Sequence, residues 1–412
     1  MRPQDIDRLI QPVLSCKRMD AHSLYLHIPF CQKRCAYCDF NTFAGLENTI
    51  PAYVSALCRE IRLVAASLPY RLPVHTLFFG GGTPSLLSVD QVAAILETVA
   101  AVFDVSPQAE ISLEANPGTV TREALRGLRR LGVNRLSFGV QSAHPEELTI
   151  LTRLHDFSDV IRSVQWAREA GFDNLNLDLM FGLPSQTLER WRRTLELTLG
   201  LHPEHLSLYC LTIEKGTPFF RWSARGLLDI PDDDLAADMY ELAMDRLGEA
   251  GFIQYEISNW ARPSGEGTLY SCRHNLQYWR GLPYLGMGAG AHGYAGGFRT
   301  ANVKPVPHYL QRCQRGESQP FPRSPANEEY HPVSVKDEMA EMMMVGLRLT
   351  EEGVSGEVFQ RRFGRRLQEV YKKTLATLEQ QGLIEWAGQN QDQLRLTRRG
   401  RLLGNRVFSA FL

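Results

Sequence analysis

Residues Ser23–Gly45 read SLYLHIPFCQKRCAYCDFNTFAG. The stretch opens as an alternating strand and then places Cys31, Cys35 and Cys38 in a C-x3-C-x2-C pattern among aromatics. Zinc sites usually draw four protein ligands from paired C-x2-C units. A [4Fe–4S] cube has four irons and usually four thiolates. Three closely spaced thiolates can hold three irons and leave the fourth open to a chelating ligand. Phe30, Tyr37 and Phe40 are placed to shield such a cluster, and burial tunes its potential.

The strand that leads into the cysteines is the first of a series. SLYLHI is followed by HTLFFG (75–80), EISLEA (110–115), RLSFGV (135–140), NLNLDL (174–179) and HLSLYC (205–210), with amphipathic helical patterns between them. Alternating strands and helices predict βα units and a parallel sheet. The expected fold class is therefore α/β, a partial (β/α)6 barrel, in which ligands sit at the C-terminal ends of the strands. The second strand ends in FFGGGTPSLL, where glycines allow a ligand to approach the backbone. Glu114, Gln141 and Asp178 stand at or near later strand ends, and Arg153 offers a carboxylate-binding fork.

Beyond the barrel, 231–332 is expected to hold a helix, a glycine-rich aromatic region and a proline-rich linker over 301–332. Residues 333–412 form a helical pattern with two short strand-like runs, which predicts a winged-helix-like domain. The expected divisions are 1–21, an N-terminal segment; 22–230, the barrel; 231–332, the extension; and 333–412, the C-terminal domain.

The chain has 412 residues, 45 Lys+Arg against 46 Asp+Glu, and 44% hydrophobic residues. This balance argues against a nucleic-acid or anionic-membrane partner, despite the local cluster Arg361, Arg362, Arg365 and Arg366. No apolar leader opens the sequence and no stretch is long enough for a membrane helix, so a cytosolic protein is expected. Eight cysteines are ordinary usage, and a tight group in a reducing compartment points to metal or redox chemistry. Cys58 and Cys210 are expected to be buried thiols. Cys16 and Cys313 show no partner spacing. Met342–Met344 fit a helical core.

The cysteine motif after YLHIPF resembles the signature of radical S-adenosylmethionine proteins. With GGGTPS, LEANPG, FGVQS, DLMFGLP and EIS, the chain from about residue 22 onward resembles the oxygen-independent coproporphyrinogen III oxidases and their HemW-type relatives. The resemblance implies a [4Fe–4S] cluster on Cys31, Cys35 and Cys38. The methionyl group of S-adenosylmethionine would chelate the open iron, and an electron from the cluster would release a 5′-deoxyadenosyl radical. It also implies cofactor contacts at Tyr25, Gly81, Gly82, Thr83, Glu114, Gln141, Arg153, Asp178 and Thr212.

Two departures separate the branches. The oxidases resemble C-x3-C-x2-C-x-C, whereas Phe40 stands at the last position here. They also carry a longer N-terminal segment. SCRHNLQYWRG supplies H-N-x-x-Y-W, which favours the HemW branch. The motif implies His274 as a haem ligand, with Cys272 as a second candidate and Tyr278 and Trp279 packing on the macrocycle. His292, in GAGAHGY, could line the same cavity. The expected activity is binding haem and delivering it to respiratory haem proteins, with an electron donor as a further partner, homodimerisation left open, and peripheral membrane contact during delivery. The rival expectation is oxidative decarboxylation of coproporphyrinogen III. A radical enzyme for another substrate is a third.

Overall fold

Alternation decides which way each strand faces. In β1 (His22–Ile28) Leu24, Leu26 and Ile28 are wholly buried on one face, and Ser23, Tyr25 and His27 point to the other. The computed structural model describes residues 21–264, 268–388 and 390–412, so nearly all of the expected N-terminal segment, Cys16 included, lies outside the described residues. Parallel pairing runs in order from β1 through β2 (Pro73–Gly81), β3 (Asp104–Ala115), β4 (Arg135–Gln141), β5 (Leu175–Phe181) and β6 (His205–Cys210). The helices α1 (Ile50–Ala65), α2 (Val89–Val102), α3 (Arg122–Arg130), α4 (Phe157–Glu169) and α5 (Leu188–Leu199) return the chain. Their starts are set locally. Ser88 with Gln91 and Asp156 with Asp159 form capping boxes, and the Thr121 and Thr187 hydroxyls accept from the first turns of α3 and α5.

The leucines and phenylalanines of the strands pack with Leu57, Ile61, Val92, Ile95, Val160 and Trp191 of the helices in one continuous core. The opposite face is polar: Thr76, Glu110, Ser112, Arg135, Ser137, Asn176, Asp178, His205 and Ser207. A closed (β/α)8 barrel fills that space with branched apolar side chains. Here the sheet stays open and its inner face carries hydrogen-bonding groups.

The sheet is larger than the six expected strands. Beyond β6 the helix α6 (Asp233–Glu249) leads to β7 (Ile253–Glu256) and β8 (Asn259–Ala261), which pair antiparallel. On the other side β9 (Tyr284–Met287) pairs parallel with β1, followed by antiparallel β10 (His292–Ala295), β11 (Phe298–Asn302) and β12 (Asn327–Pro332). The order across all twelve strands is β12-β11-β10-β9-β1-β2-β3-β4-β5-β6-β8-β7.

The proline-rich stretch is therefore no linker. It holds α8 (Val306–Arg315), with Pro305 at its N-cap and Pro307 in the first turn, where a missing N–H costs nothing. Val303, Val306, Tyr309, Cys313 and Ala326 join the main core. Glu60 on α1 fastens this region to the barrel. Its buried carboxylate accepts from the Gly288 amide (2.9 Å), Asn302 Nδ2 (2.8 Å), the Tyr309 hydroxyl (2.7 Å) and the Ser324 hydroxyl (2.5 Å).

The C-terminal residues have their own core, built on Met339, Met343, Phe359, Leu378, Leu396 and Phe408. It lies among α9 (Val335–Gly346), α10 (Gly356–Phe363), α11 (Lys372–Gln380) and a three-stranded antiparallel sheet of Val354–Ser355, Gln393–Leu396 and Ile384–Ala387. Met343 is wholly buried, and Met342 and Met344 pack against it from partly buried positions. Among the described residues no helix is long and apolar enough to cross a membrane.

Candidate functional site: a polar cavity at the strand ends

The loop after β1 is held at both ends. Phe30 is wholly buried and meets Tyr53 edge-on at 5.1 Å, so it anchors the loop in the core. Phe30–Cys31 pairs in parallel with Phe43–Ala44. Asn41 Nδ2 donates to the Ala289 and Lys304 carbonyls at 2.9 and 3.0 Å, and the Asn41 carbonyl accepts from His27 Nε2 at 2.9 Å. The Tyr25 hydroxyl meets His27 Nδ1 at 2.9 Å, and burial keeps that imidazole neutral by lowering its pKa.

Between these anchors the three cysteines face a cavity of about 540 Å³ at the C-terminal ends of the parallel strands. Each sulfur has a polar neighbour. The Thr83 hydroxyl donates to Cys31 Sγ at 3.6 Å, Arg153 Nη1 donates to Cys35 Sγ at 3.5 Å, and the Thr42 hydroxyl lies 3.9 Å from Cys38 Sγ. Burial pushes the free Cys31 and Cys38 thiols up, so a metal is what would hold them as thiolates. Among the described residues no three His, Cys, Asp or Glu side chains are grouped to hold a single ion. Soft donors spread round one loop fit a cluster in which each thiolate takes a different iron. Tyr37 and Phe40 line the cavity, whereas Phe30 turns into the core.

Every cofactor candidate lines the same cavity: Tyr25, Gly81, Gly82, Thr83, Glu114, Gln141, Arg153, Asp178 and Thr212. Their settings differ. Gly81 has φ +111°, and a Cβ there would strike the His27 ring at 2.5 Å. A Cβ on Gly82 would lie 2.6 Å from the Phe30 carbonyl oxygen. These glycines thus let β2 approach β1, besides leaving room at the cavity wall. Gln141 sits at φ +67°, a left-handed conformation uncommon outside glycine, at the end of β4. Arg153 Nη2 donates to the Gly139 carbonyl at 2.7 Å, which fixes the fork beside Cys35. Asp178 accepts from Ser137 (2.9 Å) and Asn176 (2.8 Å). Glu114 accepts the Gly81 N–H at 3.0 Å; burial and the Asp178 charge push its carboxyl up to about 8.

Arg135, Ser137, Asn176, Ser207 and Tyr209 also line the cavity and were missed by reading strand ends alone. Their signal was present: they are the alternate polar positions of RLSFGV, NLNLDL and HLSLYC. Cys210, expected to be buried, is exposed at the end of β6 on the cavity rim.

The H-N-x-x-Y-W residues form α7 (Arg273–Trp279), which packs against β2. Glu110 accepts the Arg273 and His274 amides at 3.0 and 3.1 Å and so caps its N-terminus. His274 is buried, with Nδ1 2.8 Å from the Thr76 hydroxyl and Nε2 2.8 Å from the Tyr278 hydroxyl. It stacks on Phe78 at 5.0 Å, and burial pushes its pKa down to about 3. Although it lines the cavity, it offers no free nitrogen in this arrangement; ligating iron would break one of its two bonds. Cys272 is wholly buried, faces Glu110 at 3.6 Å and is pushed up to about 12 by burial, away from the cavity wall.

Residues 25–198 match the radical SAM superfamily, and residues 333–403 match the HemN C-terminal domain. The chain is 40% identical to the heme chaperone HemW of Bacillus subtilis, over 95% of this chain and 99% of that protein. The chain belongs to the HemW family. It is 44% identical to HemW of Escherichia coli, over 66% of this chain and 69% of that one. The chain shares its fold with the solved coproporphyrinogen III oxidase HemN of Escherichia coli, at a TM-score of 0.81 and 24% identity, covering 100% of this chain and 93% of that one.

Phe40 stands where the resemblance to the oxidases implies a further cysteine. It is 63% exposed, and it lines both the cysteine-lined cavity and a second cavity of about 750 Å³. The two cavities share Tyr25, Asp39, Phe40, Gly81, Glu114 and Tyr278.

Proposed function

We propose that the protein binds haem, holds a [4Fe–4S] cluster on Cys31, Cys35 and Cys38 with S-adenosylmethionine in the polar cavity, and passes haem to respiratory haem proteins. The observation that carries this reading is the pair of adjoining cavities. One presents thiols and polar strand ends, and the other lies beside it and gathers Phe40, Trp279, Tyr284 and Tyr294 among polar and charged side chains. When bound, the cluster supplies an electron for reductive cleavage of the cofactor's sulfonium.

This chain's own residues do the rest. The glycine run and Gln141 shape the wall for a small zwitterion. Glu114 and Asp178 offer carboxyls to its ammonium and ribose hydroxyls. Arg153 steadies Cys35 and places positive charge near the cluster sulfurs. Phe40 fills the position of the further cysteine that the oxidase resemblance implies, which favours carriage over porphyrinogen decarboxylation. The anchoring of the loop through Asn41 ties the cluster end of the molecule to the wall of the second cavity.

Anaerobically reconstituted protein tests the reading in one preparation. Haem should be retained in about one equivalent per chain and move to an apo-cytochrome acceptor, with coproporphyrinogen III left unconsumed. Steady conversion to protoporphyrinogen IX would overturn it, as would failure to retain haem.

A further inference from the structure

The second cavity lies between the sheet and the C-terminal domain. Tyr278, Tyr284, His292 and Tyr294 come from the sheet side, and Glu338, Met342 and Arg362 from α9 and α10. Its volume of about 750 Å³ falls in the range of sites for a bulky organic ligand. Three features restrict what that ligand is.

The first is a free imidazole. His27 uses Nδ1 for Tyr25 and Nε2 for Asn41, and His274 uses Nδ1 for Thr76 and Nε2 for Tyr278. His292, at the start of β10, is exposed on the wall of the second cavity, and its ring makes no hydrogen bond among the described residues. It alone of the three has both nitrogens available.

The second is flat apolar surface. Phe40, Trp279, Tyr284 and Tyr294 all line this cavity. Phe40 leaves most of its ring uncovered, which is costly for a large aromatic with nothing to cover it.

The third is a division among the cations. Arg299 pairs with Glu341, and Arg362 lies 3.5 Å from Glu338, so both are balanced within the wall. Arg34 donates only to the Cys38 and Phe40 carbonyls, and Lys304 makes no ion pair among the described residues. Both are exposed on the rim of the cavity, where their charge is uncompensated and reachable.

We infer that the second cavity holds an iron-bearing planar tetrapyrrole dicarboxylate, with His292 ligating the iron, the aromatic walls covering the macrocycle, and Arg34 and Lys304 binding its two carboxylates. The inference rests on the haem-carrying reading and moves the ligand from His274 to His292. His274 becomes a positioning residue that fixes Tyr278 at the wall shared by the two cavities. An imidazole nitrogen is a strong ligand for haem iron. Paired cations select a dicarboxylate without touching the metal.

Full-length protein titrated with ferric haem, followed by absorbance and electron paramagnetic resonance, tests it. His292→Ala should weaken binding by at least about tenfold, equivalent to about 1.4 kcal/mol, and change the iron's spin-state signature. Added free imidazole should restore the parent spectrum, an effect that a packing role would not give. Arg34→Ala with Lys304→Ala should weaken haem while leaving haem dimethyl ester little changed. Circular dichroism and iron content of the cluster should stay at parent levels in each variant. A His292→Ala protein with the parent's affinity and spectrum would overturn the assignment. A parent protein that binds no haem would overturn the haem-carrying reading itself, so the two failures are distinguishable.

Discussion

The Gly81 amide gives its hydrogen to Glu114 Oε2 across 3.0 Å, so a turn at the end of β2 and a carboxyl at the end of β3 hold each other at the cavity floor. Burial and the neighbouring Asp178 raise the Glu114 pKa from 4.5 to about 8, and the Gly81 hydrogen bond only partly opposes them. The folded protein therefore keeps this proton where the unfolded chain has lost it. Its contribution to stability is fully present below the unfolded value and is lost as pH rises toward 8. The cluster-free protein should melt at progressively lower temperature across that window, and Glu114→Gln should flatten the slope. A cationic cofactor seated against Glu114 favours the carboxylate, so its binding should release a proton near pH 7. Calorimetry in buffers of different ionisation enthalpy measures that proton, and a buffer-independent heat would remove Glu114 from the contact.

Iron and sulfide analysis checks the cluster. Anaerobic reconstitution should give about four of each per chain. Cys31→Ala, Cys35→Ala and Cys38→Ala should each lose the cluster, whereas Cys313→Ala, in the main core, should keep it. A full complement in Cys35→Ala would refute the three-cysteine assignment.

Glu60 should matter for folding far more than its distance from the cavity suggests. Either orientation of a glutamine amide at this position sets an N–H against the Gly288 amide or Asn302 Nδ2. Glu60→Gln should cost about 1–3 kcal/mol and Glu60→Ala more, since it strands every donor around it. Denaturant unfolding gives the order, and equal stability of both variants with the parent would show that water replaces the carboxylate.

The glycine run separates by what surrounds each position. Gly82→Ala drives a Cβ onto the Phe30 and Ile28 carbonyl oxygens at 2.6 and 2.8 Å, which are backbone and cannot step aside. A loss of about 1–3 kcal/mol or more is expected, with poor soluble yield. Gly81→Ala instead displaces the His27 ring and, through Asn41, the cluster loop. It should lower cluster occupancy even before the cofactor is added; normal occupancy would show that His27 can swing away.

Much of this was legible because period-2 patterning is unambiguous. SLYLHI and NLNLDL name their buried and ligand-facing sides in one reading, and the C-terminal strand ends then gather residues distant in sequence. Less was legible where the pattern gave out. Tyr284–Met287 reads as a glycine-rich loop, yet it pairs with β1 because the parallel edge next to the cluster strand would otherwise be uncovered. The prolines of 301–332 suggested a linker, because the sequence does not display the partners that turn Pro305 and Pro307 into a helix start. His274 looked like a ligand from its motif. Only the hydroxyls of Thr76 and Tyr278, one of them nearly two hundred residues away, show that its nitrogens are engaged.

The polar inner face of the sheet has a thermodynamic consequence. Thr76, Ser112, Ser137, Asn176, Asp178 and Ser207 stand on that side of the strands, so a charged cofactor arriving there displaces water from hydrogen-bonding groups that are already in place. Association of a small zwitterion should be governed by enthalpy, whereas a large flat macrocycle covering Phe40, Trp279, Tyr284 and Tyr294 next door should show the more negative heat-capacity change. Two compartments sharing a wall would then answer temperature differently, and warming alone would shift the balance of occupancy between them.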